Sequence, residues 1–465
     1  MSSDNEKDSA LKGGQFKKEV TVFGGVSIVA GIMIGSGIFY LGSYVLQRAN
    51  YNIGVALLCW LIGGVICLLE AMCFSELGSG RPRAGGLTVW LEEVYHPVVG
   101  YMYGFSQWLL ASPGSIAAVA IAIPTALIEF FPGWGDTQVK TVAVLLVVGF
   151  TVYNLLGVKQ GSMLANITLI GKLIPLIIIL VAAVAVGNIM PSLDPTPTDA
   201  SGEATGFTGG IGIIAFAVLS SLWAYEGWSN VTNIGEELKN PQKTLPKMLL
   251  IGVGGVTVFY VLFNFAIYKV IPVDEAKTMI EADNVYLGTE VARRLFGSAG
   301  SILVVVGMLI SMLGSLNDQV LAYARIGYAM SNEGHFFRNQ GFLSKRGVPA
   351  VALITQGVIA IILILVKSLN DLTSFVVFLG MIGSLLGVMG VLVSRKRFPD
   401  LAVPFRVPGG AVTVVITSII CFALMVSNFI DDPIGSIIGV IVVPAIGACV
   451  YLYYDKKNKK ENIVK

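Results

Sequence analysis

Runs of about 20 apolar residues, the length a helix needs to cross a bilayer, recur along nearly the whole chain, separated by short polar stretches. Twelve can be placed, with centres near Ile32, Gly64, Ala111, Val147, Ile178, Leu219, Phe259, Leu309, Val358, Leu385, Ile419 and Val443. The pattern predicts an all-α membrane protein with twelve transmembrane helices. The first run is broken at its middle: Gly31-Ile32-Met33-Ile34-Gly35-Ser36-Gly37-Ile38. Glycine is the poorest helix former after proline, and lipid offers no partner to backbone groups freed by an unwound turn. Unwound backbone at that depth persists only where it is buried in protein or lines a cavity. The sixth run, Ala215 to Asn230, is interrupted in the same way by Trp223-Ala224-Tyr225-Glu226-Gly227.

Two interrupted helices, each opening a set of five, predict a 5+5 inverted repeat with the binding site at the repeat interface. The repeats would occupy residues 19–187 and 207–395, with helices 11 and 12 in 409–454. Residues 1–18 read as a disordered cytoplasmic N-terminus and 455–465 as a basic cytoplasmic tail. Of the polar connections, 272–297 is charged and suits a short amphipathic surface helix.

Composition agrees: 55% of residues are hydrophobic and 13% charged, against about 25% charged in soluble domains. The 54 glycines suit close helix packing in lipid. With the N-terminus in the cytoplasm, 23 of the 31 Lys and Arg residues fall on the cytoplasmic side, as the positive-inside rule requires. This predicts a multi-pass membrane protein with both termini in the cytoplasm. The N-terminal stretch lacks a short apolar core and a cleavage site, so no signal peptide is expected. Cys59, Cys67, Cys73, Cys421 and Cys449 all fall in or beside apolar runs, so no disulfide framework is implied. The two histidines, His96 and His335, lie at loop edges. No zinc-protease motif, paired Cys-x-x-Cys or phosphate-binding loop is present. Enzyme activity, a metal, a cofactor and nucleic acid as a partner are not expected. An ion channel is disfavoured, because no ring of charge or filter repeat occurs.

The breaks have complementary chemistry. Backbone N–H groups around Ile34, Gly35, Ser36, Gly37 and Ile38, with the helix N-terminus that follows, favour a carboxylate. Carbonyls freed around Trp223, Ala224, Tyr225 and Gly227 suit an ammonium. An anionic pole facing a cationic one is a receptor for an α-amino acid. Taken alone, Gly35-Ser36-Gly37 is equally compatible with a packing notch between crossing helices.

These residues carry a resemblance. The chain resembles the amino acid–polyamine–organocation superfamily, and within it the bacterial relatives of the L-type amino acid transporters. The likeness rests on Gly35-Ser36-Gly37-Ile38-Phe39, Glu76-Leu77-Gly78 with Arg83-Ala84-Gly85-Gly86, Gly171-Lys172-Leu173, Trp223-Ala224-Tyr225-Glu226-Gly227-Trp228, Asn240-Pro241 with Leu245-Pro246, and Ser331-Asn332-Glu333-Gly334-His335. It spans about residues 17–455 and implies a LeuT-type fold with sodium-independent amino acid transport, often as exchange.

Lys172 is the one basic residue deep in a span, which by itself marks a functional position. The resemblance implies that its ammonium stands where sodium-coupled relatives hold sodium, tying span 5 to the span 1 break and to Ser311 and Ser315 of span 8. Tyr260 matches a position that can partner this lysine, and Trp223 matches a gating aromatic. Lys172 is either a fixed cation or a proton carrier. Glu226, Glu70 and Asn317-Asp318 are left without an assigned role. The reading is a secondary transporter of neutral, small L-amino acids, most simply an exchanger working by alternating access. Proton-coupled symport and a non-transporting sensor are the alternatives. The connection 131–136 has no cysteine, whereas the animal carriers use one there to join a heavy subunit. The protein is therefore expected to work without that partner, as a monomer.

Overall fold

In the computed structural model the described residues are 18–35, 37–127, 133–199, 202–282, 286–334, 336–367, 369–431, 433 and 437–463. The N-terminal residues 1–17, Ser36, Phe131, Pro132 and His335 lie outside them. Among the described residues the fold is helical, with three isolated β-bridges and no strand. In chain order the helices are α1 (Val22–Met33), α2 (Gly37–Arg48), α3 (Ile53–Gly80), α4 (Leu87–Val94), α5 (Pro97–Ser106), α6 (Ser112–Thr125), α7 (Asp136–Leu155), α8 (Val158–Val186) and α9 (Phe207–Tyr225). They continue as α10 (Pro241–Tyr268), α11 (Val273–Glu281), α12 (Leu287–Phe296), α13 (Ser298–Asn332), α14 (Ala350–Val366), α15 (Leu369–Arg397), α16 (Gly410–Asp431) and α17 (Val443–Ile463).

Nine helical stretches among the described residues are long and apolar enough to cross a membrane. The other three expected spans differ for visible reasons. The first is split into α1 and α2, α14 has 17 residues, and α17 is preceded by a π-helical turn over Ile438–Val442. The 272–297 connection forms two short helices, α11 and α12, rather than one. In the basic end α17 runs on to Ile463, and Asn458 Nδ2 donates to the Gly334 carbonyl at 2.8 Å.

Small residues set the interior. Gly63 and Gly64 let α3 approach Ser221 of α9 and Thr257 of α10 so closely that a Cβ at either position would collide. The broken helices cross: α1 packs on the short 3-10 helix Trp228–Asn233, and α2 packs on α9. Further extensive pairings are α3 with α10, α8 with α13, and α7 with α14. Apolar side chains that face outward, such as Ile167, Ile174, Val181, Ile362 and Ile419, are exposed, as expected where lipid takes the place of a packed neighbour.

Candidate substrate site

The two interruptions have different local causes. α1 stops after Met33 because Ile34 turns out of helical geometry, at φ −77° and ψ 76°, and Gly35 N–H bonds back to Met33 O at 2.8 Å. α9 stops after Tyr225, where Glu226 is extended at ψ 151° and Gly227 has φ +96°. That left-handed conformation suits glycine, and a Cβ there would collide with Ile32.

The end of α1 leaves carbonyls that no helical N–H can reach. Side chains from three other helices take them up. Lys172 Nζ of α8 donates to Gly31 O and Ile34 O, each at 2.6 Å. Ser315 Oγ of α13 donates to Gly31 O at 2.8 Å, and Ser311 Oγ to Ile34 O at 2.5 Å and Gly35 O at 3.3 Å. Tyr260 OH of α10 bridges the two breaks, reaching Met33 O at 2.8 Å and Ala224 O at 3.0 Å. Lys172, Tyr260 and Ser311 are fully buried. The ammonium sits at the negative end of the α1 dipole, which favours its charge.

Beside this hub lies a cavity of about 610 Å³. Gly35, Gly37, Trp223, Ala224, Gly227 and Ser315 lie on its wall. The other expected site residues are placed differently. Ile34 and Ile38 are buried behind the wall. Tyr225 turns away, its OH donating to Trp60 O at 2.9 Å and its ring 5.1 Å from that of Tyr260. Lys172, Tyr260 and Ser311 form the layer behind, and Ser36 lies outside the described residues. The expected ammonium site is narrower than the sequence suggested, because Ala224 O is engaged by Tyr260 and Trp223 O accepts Glu226 N–H at 3.2 Å.

The cavity also has features that sequence reasoning left unassigned. Glu226 and Arg48 are the only acidic or basic side chains among its described wall residues. A carboxylate next to Gly227 within an apolar run was the available signal for Glu226. Gln107 and Ala111 reach the wall from a π-helical turn, Gln107–Ala111, that joins α5 to α6, and such turns concentrate at functional positions. No local sequence signal marks that turn. Glu70 lies off the cavity, accepting from Ser384 Oγ at 3.0 Å and Cys421 Sγ at 3.2 Å.

The end of the bundle that carries Val20, Arg83 and Glu237 is closed. Val20 exchanges backbone bonds with Glu237 and Lys239, at 3.0 and 2.8 Å. Arg325 pairs with Glu237 at 2.7 Å, both buried. Arg83 bridges Glu93 at 2.8 Å and Glu333 at 2.5 Å. The cavity wall instead continues to Tyr44, Arg48 and Thr125, at the far ends of α2 and α6.

The sequence model of the amino acid permease family matches residues 20–450. The chain belongs to that family, within the amino acid–polyamine–organocation superfamily. Among its relatives is the serine/threonine exchanger SteT of Bacillus subtilis (strain 168), 29% identical over 454 residues, which covers 96% of this chain and 98% of the relative. The b(0,+)-type amino acid transporter 1 of Mus musculus is 30% identical over 433 residues, covering 91% of this chain and 85% of the relative. The cystine/glutamate transporter of Homo sapiens is 28% identical over 452 residues, covering 95% and 87%. This permease thus has relatives that are named as transporters and exchangers, and its helices are those of a transmembrane protein.

Proposed function

We propose that this permease is a sodium-independent exchanger of small neutral L-amino acids in a bacterial plasma membrane, working by alternating access. The observation that carries the reading is the Lys172 ammonium on the Gly31 and Ile34 carbonyls. Unwound carbonyls in a membrane need a cation or a donor. Here the chain supplies its own, so no diffusible cation is required to hold the break in place. Gly35 and Gly37 then present the start of α2 to a substrate carboxylate. Trp223 covers the site from the α9 side, and Tyr260 transmits movement of one break to the other. Glu226 offers an acceptor to a hydroxyl, which makes serine and threonine test substrates alongside alanine. The serine/threonine exchanger among the relatives points the same way.

The contacts support a 5+5 repeat over 19–187 and 207–395 of twelve spans in all. Helices that a two-fold axis in the membrane plane would interchange lie against each other: α3 on α10, α7 on α14, and the halves of the first break crosswise on the halves of the second. With the basic face inside, both termini are cytoplasmic and the cavity opens outward. Cysteine occurs only within helices α3, α16 and α17, which supports work without a disulfide-linked heavy subunit.

The test is uptake of labelled L-alanine, L-serine and L-leucine into proteoliposomes, with or without unlabelled amino acid inside, in sodium or choline buffer. Uptake that needs internal amino acid and ignores sodium supports the reading. Uptake that requires sodium overturns it, as does no uptake of any of the three.

A further inference from the structure

Asp318 lies one turn beyond Ser315 on α13, toward the closed face. It is fully buried. Its Oδ1 accepts a single bond, from Asn317 Nδ2, at 3.2 Å. Among the described residues its Oδ2 has no hydrogen-bond partner. Asn317 is committed elsewhere, donating to Gly161 O at 3.0 Å and accepting from Asn154 Nδ2 at 3.1 Å. Against Oδ2 lies the bare Cα of Gly31, where a Cβ would collide with it. Lys172 bonds the carbonyl of that same Gly31 at 2.6 Å, so its ammonium and the carboxyl flank one residue without bonding each other.

Among the described residues the charged and titratable groups around Asp318 are few. From α8 comes Lys172. From α1 and from the turn Trp228–Asn233 comes none. From α7 comes the neutral Asn154. On α13 itself Arg325 is bound to Glu237 at 2.7 Å. An ionised carboxylate with one long donor in a membrane interior is a costly species. The acid form, without that charge, costs less.

We infer that Asp318 is a proton-binding site, sealed by Gly31 in this conformation and opened when α1 swings away from α13. The inference rests on the alternating-access reading above. Loading takes place from the cavity, whose wall includes the two flanking residues Ser315 and Gln319. The Gln319 Oε1, buried and without a partner among the described residues, provides an acceptor on that route. The step is simple: the carboxylate takes a proton from water on the cavity side and returns it to water once Gly31 has moved. Because α1 is the half-helix on the basic face, release is to the cytoplasm, and an inward proton gradient adds drive to amino acid uptake.

The experiment compares unmodified protein with Asp318→Asn in proteoliposomes, measuring L-serine uptake with and without an inward proton gradient, and exchange against internal L-serine with no gradient. The unmodified protein is expected to gain severalfold from the gradient. Asp318→Asn is expected to lose that gain while keeping exchange. An equal gain in Asp318→Asn overturns the site. Exchange in the unmodified protein without any gain also overturns it, leaving the exchanger reading intact, whereas absence of exchange strikes that reading instead. Should Asp318→Asn fail to fold, infrared difference spectra of unmodified protein with and without L-serine read the same point. A substrate-dependent change in a carboxylic-acid carbonyl band that tracks aspartate isotope labelling is expected, and its absence overturns the inference.

Discussion

Replacing Lys172 with methionine removes the ammonium and keeps nearly the same length of apolar chain. Two charge-assisted bonds disappear, to Gly31 O and Ile34 O at 2.6 Å each. Bonds of this kind contribute about 1.5–3 kcal/mol apiece. Two effects hold the loss down. Ser315 and Ser311 remain on the same carbonyls at 2.8 and 2.5 Å, so neither oxygen is left bare. The desolvation cost of a buried ammonium also vanishes. The net loss is therefore about 2–3 kcal/mol in the equilibrium that keeps the α1 break joined to α8, or roughly 30- to 150-fold. Because Gly35 and the start of α2 hang from this break, the loss falls on substrate affinity. Equilibrium binding of labelled L-serine to purified protein measures it directly, with exchange in proteoliposomes as the second readout. Affinity and exchange within twofold of the parent would refute the argument that the ammonium organises the site.

Tyr260→Phe keeps the ring and removes the one hydroxyl that joins both breaks. It should cost about 1–2 kcal/mol and slow exchange about tenfold, with less effect on thermal stability than on rate. Gly35→Ala separates fold from binding: a Cβ there meets nothing closer than Ser315 Oγ at 3.6 Å. The variant should therefore fold normally and bind L-serine weakly, as a melting curve beside a binding isotherm would show. Glu92, on α4 outside the membrane-spanning helices, has its carboxyl pushed up to about 8 from 4.5 by burial and then by the charge of Glu333. Between those values the folded protein holds a proton that the unfolded chain has released, so stability falls as pH rises across that window. Glu92→Gln should flatten this dependence and be the more thermostable protein near its upper end, by a few kcal/mol at most. Parallel melting curves for the two proteins would refute the assignment.

The sequence alone determined the class of this protein, because the bilayer reduces the question to where 20-residue apolar runs occur and where they fail. The breaks at Gly35 and Gly227 were visible because Gly35-Ser36-Gly37 and the polar Glu226-Gly227 interrupt apolar runs, where backbone groups freed by an unwound turn find no partner in lipid. Lys172 was visible because a lone charge deep in such a run is costly. Tertiary structure decided what those residues touch. Tyr225 sits beside the second break in sequence, yet helical rotation carries its ring toward Trp60 and away from the cavity. Glu226, its neighbour, reaches the wall because the chain is already extended there. Asp318 looked like one more polar residue in span 8 until the fold set the bare Cα of Gly31 against its unpartnered oxygen. Burial of a charge is written in the chain, but whether a donor meets it depends on a helix nearly 300 positions away. That is a distance no local pattern spans.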